Sequence, residues 1–383
     1  MKNQGQLLII LLLSALLITT LDACQKKGKP NTEPTKITSS DYQVRYAKGF
    51  DIQYFDEYKK LIVKSPFPGA ESDHEYILRH SGAQSDPGPN SIAIPVQKLI
   101  ATSTTHVPML EILGAEERLV GFPNTNFITS QKTRIRVEEG KLTDIGTDMN
   151  LNAEMVIALK PDALVAFALD GSDKAFSTIR KNEIPILFNG DWLEETPLGR
   201  AEWIKFFGAL LDLDREADSI FKVIEEEYLE ARKIAEQASQ TPSVMSGVLF
   251  KDQWNLPAGE SFTAKLYEDA NTNYLWKDSQ GQGSLVLNFE SVLETARQAD
   301  LWIGAGIYTS REDLLSANGH YAEFDAFKNN SVFTFSKRKG PAGGIVYFEL
   351  APIQPHVVLK DLVKAAHPEL LPDYEPFFLE RLD

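Results

Sequence analysis

Residues 214–239 read DREADSIFKVIEEEYLEARKIAEQAS, and this stretch decides how the whole chain is organised. It contains neither Gly nor Pro, and its apolar side chains recur at the spacing of one helix face. A helix of this length would extend about 40 Å, which is comparable to the width of a domain. A shorter helix is predicted directly before it, over residues 198–211. Together the two segments predict a helical linker, residues 198–240, between two lobes.

Short apolar segments alternate with helical segments on both sides of this linker. We predict a strand at each of the apolar segments: 98–102, 119–122, 163–167, 184–188, 247–250, 301–303 and 331–335. Such alternation is typical of a parallel sheet covered by helices. The predicted fold is α/β, with two Rossmann-like parallel-sheet lobes, residues 41–197 and 241–383, joined by one long helix. Strand-like runs broken by prolines over residues 42–78 predict a small β-rich preface to the first lobe.

The N-terminus has the three parts of a secretory signal. Lys2 is followed by an apolar run over residues 7–19 and then by Leu-Asp-Ala-Cys, which ends at Cys24. The run is too short for a membrane-spanning helix, which needs about 20 apolar residues. Its Leu-x-Ala-Cys ending resembles the lipobox of bacterial lipoproteins, in which the cysteine is diacylated. We expect a signal peptide at 1–23, a lipid anchor at Cys24 and a flexible tether over 24–40; a plain secreted protein is the alternative.

Charge and cysteine content exclude several classes of function. The 383 residues contain 39 Lys and Arg against 54 Asp and Glu, which gives a formal net charge of −15. An acidic surface repels phosphate backbones, so no nucleic-acid partner is expected. Cys24 is the only cysteine, so one chain cannot form an internal disulfide or a site of several thiolates.

One pattern occurs in both lobes. Asn152 and Glu154 open a helical segment that leads into a strand, and Asn288 and Glu290 do the same in the second lobe. Asn is a preferred N-cap and Glu suits the positive end of a helix, so capping alone explains both pairs. Two exposed carboxylates, one on each lobe, would also form a matched pair of contacts for arginines on a partner. Both interpretations remain open from the sequence.

The order and spacing of short motifs resemble one family, the solute-binding proteins of ABC importers with a rigid interlobe helix. This is the class that carries ferric siderophores, haem and cobalamin. The resemblance covers about residues 95–370 and rests on motifs in both lobes: 95–100, 110–115, 119–121, 154–165, 258–262, 288–290, 347–349 and 359–362. It implies that the ligand binds in the cleft between the lobes. It also implies that Glu154 and Glu290 dock on the two permease subunits, which work with an ATPase.

Open α/β sheets place their ligands at the loops that follow the carboxyl ends of the strands. We therefore expect a small-molecule metal chelate to contact side chains from such loops in both lobes: Thr104, Thr105, Asn124, Thr147, Asp170, Trp254, Lys337 and Arg338. A half-buried core position would equally explain Trp254, and a solvated turn would explain residues 337–339. His106 is expected to be a polar neighbour rather than a metal ligand.

Two other classes of function fit the sequence less well. An enzyme needs a reactive constellation, but the chain has no Gly-x-Ser-x-Gly, His-Glu-x-x-His or Gly-x-x-x-x-Gly-Lys motif. A zinc or manganese site on the same scaffold needs several His and carboxylate ligands. Of six His, only His106, His320 and His356 remain once those outside the predicted cleft are set aside. We expect an exported lipoprotein that binds a solute, has no catalytic residues or cofactor, and faces the periplasm or cell exterior.

Overall fold

The computed structural model describes most of the chain, over residues 36–37, 42–80, 91–147, 150–167 and 174–383. The chain divides into a short unit, residues 1–36, and a main unit, residues 37–383. The predicted signal peptide, Cys24, Asp170 and most of the predicted tether lie outside the described residues. No helix within the described ranges is both long enough and apolar enough to span a bilayer.

The main unit begins with a largely antiparallel sheet, the N-terminal sheet. Phe50–Phe55, Tyr58–Val63 and His74–His80 are antiparallel neighbours, and Ser91–Ile94 joins His74–His80 in parallel. A two-residue strand, Lys36–Ile37, comes earlier in the chain. Alternate residues of Tyr58–Val63 are buried, as expected when one face of a strand packs on the core. The predicted β-rich preface is confirmed.

The first lobe contains a parallel sheet of five strands, in the order Ile186–Phe188, Ala163–Ala166, Leu99–Ala101, Leu119–Phe122 and Thr143–Asp144. The three strands at 99–101, 163–166 and 186–188 are wholly buried, as is typical when helices cover both faces. The α-helices of this lobe are His106–Ile112, Gln131–Glu138, Ala153–Leu159 and Lys174–Lys181. Short elements complete it: Glu116–Arg118, Thr125–Phe127 and Asp191–Leu193 are 3-10 turns, and Gly146–Thr147 pairs with Asn150–Leu151.

The second lobe contains a similar sheet, in the order Asn273–Tyr274, Ser243–Ser246, Leu301–Ile303, Val332–Thr334 and Glu380–Arg381. Its strands are parallel except the last, which is antiparallel to its neighbour. The helices are Phe262–Asp269, Phe289–Ala296, Arg311–Ala317, Asp325–Lys328, Val346–Leu350 and Pro355–Ala366, with 3-10 segments at Gly319–Glu323 and Ala351–Ile353. The fold is therefore α/β with two parallel-sheet lobes, as predicted.

The prediction that residues 247–250 form a strand of this parallel sheet is wrong. The parallel strand is Ser243–Ser246, and Gly247 turns the chain at a positive φ of 81°. A Cβ on Gly247 would lie 2.0 Å from the Asn255 carbonyl oxygen, so glycine alone fits this turn. The residues that follow belong to a separate antiparallel sheet of three strands: Val248–Phe250, Gln253–Pro257 and Ser284–Leu287.

Three consecutive helices connect the lobes: Pro197–Glu202, Ile204–Leu211 and Asp214–Ala235. The last of them, the linker helix, ends at Ala235 rather than at residue 239. Its buried side chains recur at helical spacing, as the sequence predicts: Ala217, Asp218, Phe221, Ile224, Glu225, Tyr228, Ala231 and Ala235. This face packs against Ile204–Leu211 and against Pro355–Ala366 of the second lobe.

A buried ionic network holds the segment before the N-terminal sheet against the linker. Glu202 is fully buried, and its carboxylate accepts hydrogen bonds from the backbone N–H groups of residues 45–47 at 2.6–3.0 Å. The Lys205 ammonium lies 3.0 Å from this carboxylate and 3.2 Å from that of Asp218 on the linker helix. Because these groups are removed from water, loss of any one of them leaves its partners buried without compensation, which destabilises the fold.

Candidate functional site

A cavity lies where strands of the first lobe end. Thr102, Pro123 and Phe167 each follow directly after a strand of the parallel sheet, and all three line the cavity. Parallel strands end at one edge of a sheet, which is why residues far apart in the chain meet here. Residues within 344–349 of the second lobe form the opposite wall. This interlobe cavity has a volume of about 210 Å³.

Phenylalanine rings form part of the wall of the interlobe cavity. The side chains of Phe127 and Phe348 are 53% and 59% exposed, although both are large and apolar. The half-buried Phe167 adds a third ring, and residues 103–104 add hydroxyl groups. A concave, mainly apolar surface with a few polar groups is the usual form of a small-molecule site. The exposed rings indicate a ligand that covers apolar surface.

A direct contact between the lobes borders this cavity. Gly340 and Gly344 lie so close to residues 127–130 that a Cβ on either glycine would come within 2.5 Å of that segment. Glu349 is 2% exposed, and its carboxylate accepts hydrogen bonds from two backbone N–H groups of the same segment, at 2.6 and 3.1 Å. The glycines permit the close approach, and Glu349 supplies its polar contact.

The buried position of Glu349 makes the stability of the protein depend on pH. Burial raises the pKa of this carboxyl to about 7, and the two backbone hydrogen bonds oppose the rise. The pKa in an unfolded chain is about 4.3, so the folded protein holds this proton more tightly. The resulting contribution to the free energy of unfolding is fully present below about pH 4 and is lost as the pH rises through about 7.

We therefore expect Glu349→Gln to remove this pH-dependent loss of stability, because the amide does not titrate. The measurement is the urea midpoint of unfolding between about pH 4 and pH 8 for the original protein and the variant. Glu369→Gln, at an exposed position, is the control and should leave the pH dependence unchanged. An unchanged slope in Glu349→Gln would contradict the elevated pKa.

The structure places the predicted first-lobe ligand residues at this edge of the sheet, at different depths. Thr104 lines the interlobe cavity. Thr105 is buried, and its hydroxyl lies 3.0 Å from that of Ser103. Asn124 is half-buried in a left-handed conformation two residues after a strand, and Thr147 is exposed. Contact between these four predicted residues and a ligand stays a prediction.

Trp254 lies in the core of the second lobe. It is 0% exposed, its ring centroid lies 5.6 Å from that of Trp302, and its Nε1 donates to the Ser246 carbonyl oxygen at 2.9 Å. This burial corrects the prediction that Trp254 stacks on the ligand. The reason is the hairpin of Val248–Phe250 and Gln253–Pro257, in which Trp254 lies opposite Leu249.

Lys337 and Arg338 contact the C-terminal segment. The Lys337 ammonium lies 2.5 Å from the side-chain carboxylate of Asp383. Arg338 donates from Nε to the Phe377 carbonyl oxygen at 2.8 Å, and its guanidinium lies 4.4 Å from the centroid of the Phe377 ring. Neither residue lines the interlobe cavity, so the structure corrects their assignment to its wall.

His106 is fully buried, and burial lowers the pKa of its imidazole to about 4. Its ring centroid lies 5.4 Å from that of Phe207. The other two candidate histidines lie beside carboxylates: His320 is 2.9 Å from Glu323, and His356 is 3.7 Å from Glu227. In the described part of the chain, no three His, Cys, Asp or Glu side chains are grouped so as to hold a metal ion.

The two predicted docking carboxylates are exposed in the first turns of their helices. Asparagines cap these helices. The side-chain oxygen of Asn152 accepts from the Met155 N–H at 3.1 Å, and that of Asn288 accepts from the Ser291 N–H at 2.8 Å. No ion pair engages Glu154 or Glu290 within the described ranges. Capping therefore depends on the asparagines, which leaves both carboxylates available to a partner.

Sequence reasoning missed most of the cavity wall. Phe127 lies in a segment without a recognised motif, and Phe167 ends a predicted strand. Phe348 and Glu349 belong to the motif at 347–349, which indicated the family but no contact with a ligand. One signal was available: residues 340–344 read GPAGG, and glycines in such a loop permit another backbone to approach closely.

Known proteins resemble this chain in sequence. The family model described as periplasmic binding protein matches residues 99–338, which is more than half of the chain. An uncharacterized lipoprotein of Methanocaldococcus jannaschii is 26% identical over 356 residues, covering 85% of this chain and 82% of the relative. A second uncharacterized lipoprotein of that organism is 24% identical over 395 residues, covering 94% and 96%.

Solved structures share the fold. A possible iron-binding (periplasmic solute-binding) protein from Staphylococcus epidermidis aligns with a TM-score of 0.57 at 18% identity, covering 71% of this chain and 99% of that protein. A periplasmic heme-binding protein from Pseudomonas aeruginosa aligns with a TM-score of 0.56 at 16% identity, covering 75% and 98%.

Proposed function

Because the chain belongs to the periplasmic binding protein family, we propose that it is the membrane-anchored solute-binding component of an ABC importer. It captures a metal chelate between its two lobes and delivers it to the permease. The observation that supports this most directly is the interlobe cavity, which lies at the ends of the parallel strands and is lined by phenylalanines from both lobes. The family and the similar solved structures are binding proteins, not enzymes.

The proposed ligand is a ferric siderophore, a corrinoid or haem. All three are organic molecules large enough to cover the exposed rings of Phe127 and Phe348, which a bare metal ion is not. The names of two similar structures refer to iron and to heme, and their identity to this chain is below 20%, so they supply the fold and not the ligand.

The proposed partner is the permease with its ATPase, and Glu154 and Glu290 are the proposed contacts. Each lobe carries one asparagine-capped helix with an exposed first-turn glutamate, so the pair matches a partner with two equivalent cationic positions. The proposed anchor is a lipid on Cys24, supported by the lipobox-like ending of the signal and by relatives that are named lipoproteins.

Absorbance of the protein purified from its own cells tests the proposed ligand, because haem, ferric catecholates and corrinoids have distinct visible bands. Thermal shift measurements on the ligand-free protein should show stabilisation by one of these chelates and none by zinc. Stabilisation by zinc alone, reversed by a chelator, would instead indicate a protein that binds the free metal ion.

We expect Phe127→Ala and Phe348→Ala each to weaken binding of that chelate about 10- to 100-fold, the effect of losing one ring's apolar contact. Both rings are more than half exposed, so the melting temperature of the ligand-free protein should change little. Phe250→Ala is a matched control, because Phe250 is 69% exposed but belongs to the three-stranded sheet. Isothermal titration calorimetry measures the affinities, and equal binding by all four proteins would contradict the assignment of the cavity.

A further inference from the structure

Phe348 also lines a second cavity, between the first linker helix, Pro197–Glu202, and the second lobe. This linker cavity has a volume of about 230 Å³. Its wall is mainly apolar and includes Phe262, Leu266, Tyr347 and Pro352. A cavity of about 150 Å³ accommodates benzene, so this one has room for an aromatic ring with a substituent.

Arg200 brings a positive charge into this apolar wall. Its guanidinium lies 4.2 Å from the centroid of the Phe262 ring, and its Nε is buried without a hydrogen-bond partner. No carboxylate among the described residues forms an ion pair with it. Other arginines of the chain, such as Arg45 and Arg297, have glutamate partners. The Phe262 ring compensates for part of the hydration that this guanidinium has lost, and an anion beside it would compensate for the rest.

The elements that form the wall of the linker cavity are themselves well packed. Arg200 lies on a helix whose first turn is capped by the Thr196 hydroxyl, which accepts from the Gly199 N–H at 3.0 Å. The Tyr347 ring in the opposite wall is stacked on Phe335 with 4.1 Å between the ring centroids. A site built on packed elements loses little conformational entropy when a ligand binds.

We infer that the linker cavity binds an organic anion, with its apolar body among the rings and prolines and its carboxylate on Arg200. Phe348 lines both this cavity and the interlobe cavity. If the protein has the proposed function, on which this part of the inference rests, the anion is a carboxylate-bearing arm of the captured chelate.

A pair of fragments of one shape tests the inference: 2-naphthoate, which is an anion at neutral pH, and 2-naphthamide, which is neutral. The original protein should bind the naphthoate about tenfold more tightly than the amide, because one charge-assisted hydrogen bond provides a difference of this size. Arg200→Gln should bind both fragments with the affinity of the amide. Arg311→Gln is the matched control and should keep the difference, since Arg311 lies over another ring, Phe327, at 4.3 Å.

Salt dependence is a second measurement that needs no variant. Raising the NaCl concentration should weaken binding of the naphthoate and leave binding of the amide unchanged. Equal affinities in the original protein, or a difference that survives Arg200→Gln, would overturn the inference. Binding of the fragments requires no permease. Failure of this test would therefore leave the proposed permease contacts at Glu154 and Glu290 unaffected, and failure of those contacts would leave the fragment result unaffected.

Discussion

Cells whose protein carries both Glu154→Ala and Glu290→Ala should take up labelled ligand at less than about a tenth of the original rate. Truncation of one partner of a desolvated interfacial ion pair costs about 2–5 kcal/mol, and each substitution removes one such pair. The single variants should lie between the original protein and the double variant, because each carboxylate belongs to a different lobe. Uptake is normalised to the amount of folded protein.

Folding and ligand affinity should stay nearly intact in these variants. Asn152 and Asn288 cap the two helices, and an exposed first-turn Glu contributes only about 0.3–1 kcal/mol to its helix. Glu312→Ala is the matched control, since Glu312 is also an exposed first-turn carboxylate, on the helix Arg311–Ala317. Normal uptake by the double variant together with a lowered melting temperature would assign both carboxylates to helix stability.

The buried network at Glu202 should give the largest loss of stability. Glu202→Ala leaves the Lys205 ammonium buried and deprives the N–H groups of residues 45–47 of their acceptor. Breaking a buried pair in this way costs about 3–5 kcal/mol. The free energy of unfolding, measured by urea denaturation, should fall by that amount. Glu216→Ala, at an exposed position of the linker helix, should change it by less than about 0.5 kcal/mol.

A second variant separates charge burial from a general loss of packing. Glu202→Leu with Lys205→Met removes both charges of this pair, and Asp218 keeps its ion pair with Lys222 at 2.7 Å. Replacing a buried pair by apolar residues of similar volume is often neutral. The double variant should recover part of the stability lost in Glu202→Ala, with the unpaired N–H groups of residues 45–47 accounting for the rest. A double variant less stable than Glu202→Ala would show that the ion pair is not what stabilises this contact.

Several elements were predictable because their signals are local. The linker helix, Asp214–Ala235, follows from apolar spacing over one continuous segment. The strands Leu119–Phe122 and Leu301–Ile303 follow from short apolar runs, and their bounds agree with the prediction. Asn152 and Asn288 cap their helices, as residues of this type commonly do. Each of these features depends on residues only a few positions apart.

The candidate site was less predictable because its residues meet only after folding. Phe127 and Phe348 are more than two hundred positions apart in the chain and line one cavity. From the sequence, Trp254 could equally contact a ligand or lie in the core, and the hairpin of Val248–Phe250 and Gln253–Pro257 places it in the core. Arg200 lies within a predicted helix, and nothing near it in sequence indicates that it lacks a carboxylate partner.

The sequence by itself determined that this protein is an α/β chain of two lobes joined by a long helix, with an asparagine-capped helix that carries a first-turn Glu in each lobe. Periodicity and capping act over a few residues, so they can be recognised before the chain folds. The tertiary structure alone decided which side chains form the cavities, which cations are paired and which aromatic rings are exposed. Burial and pairing depend on distances between remote segments, such as residues 127–130 and Glu349, which only the packed lobes establish.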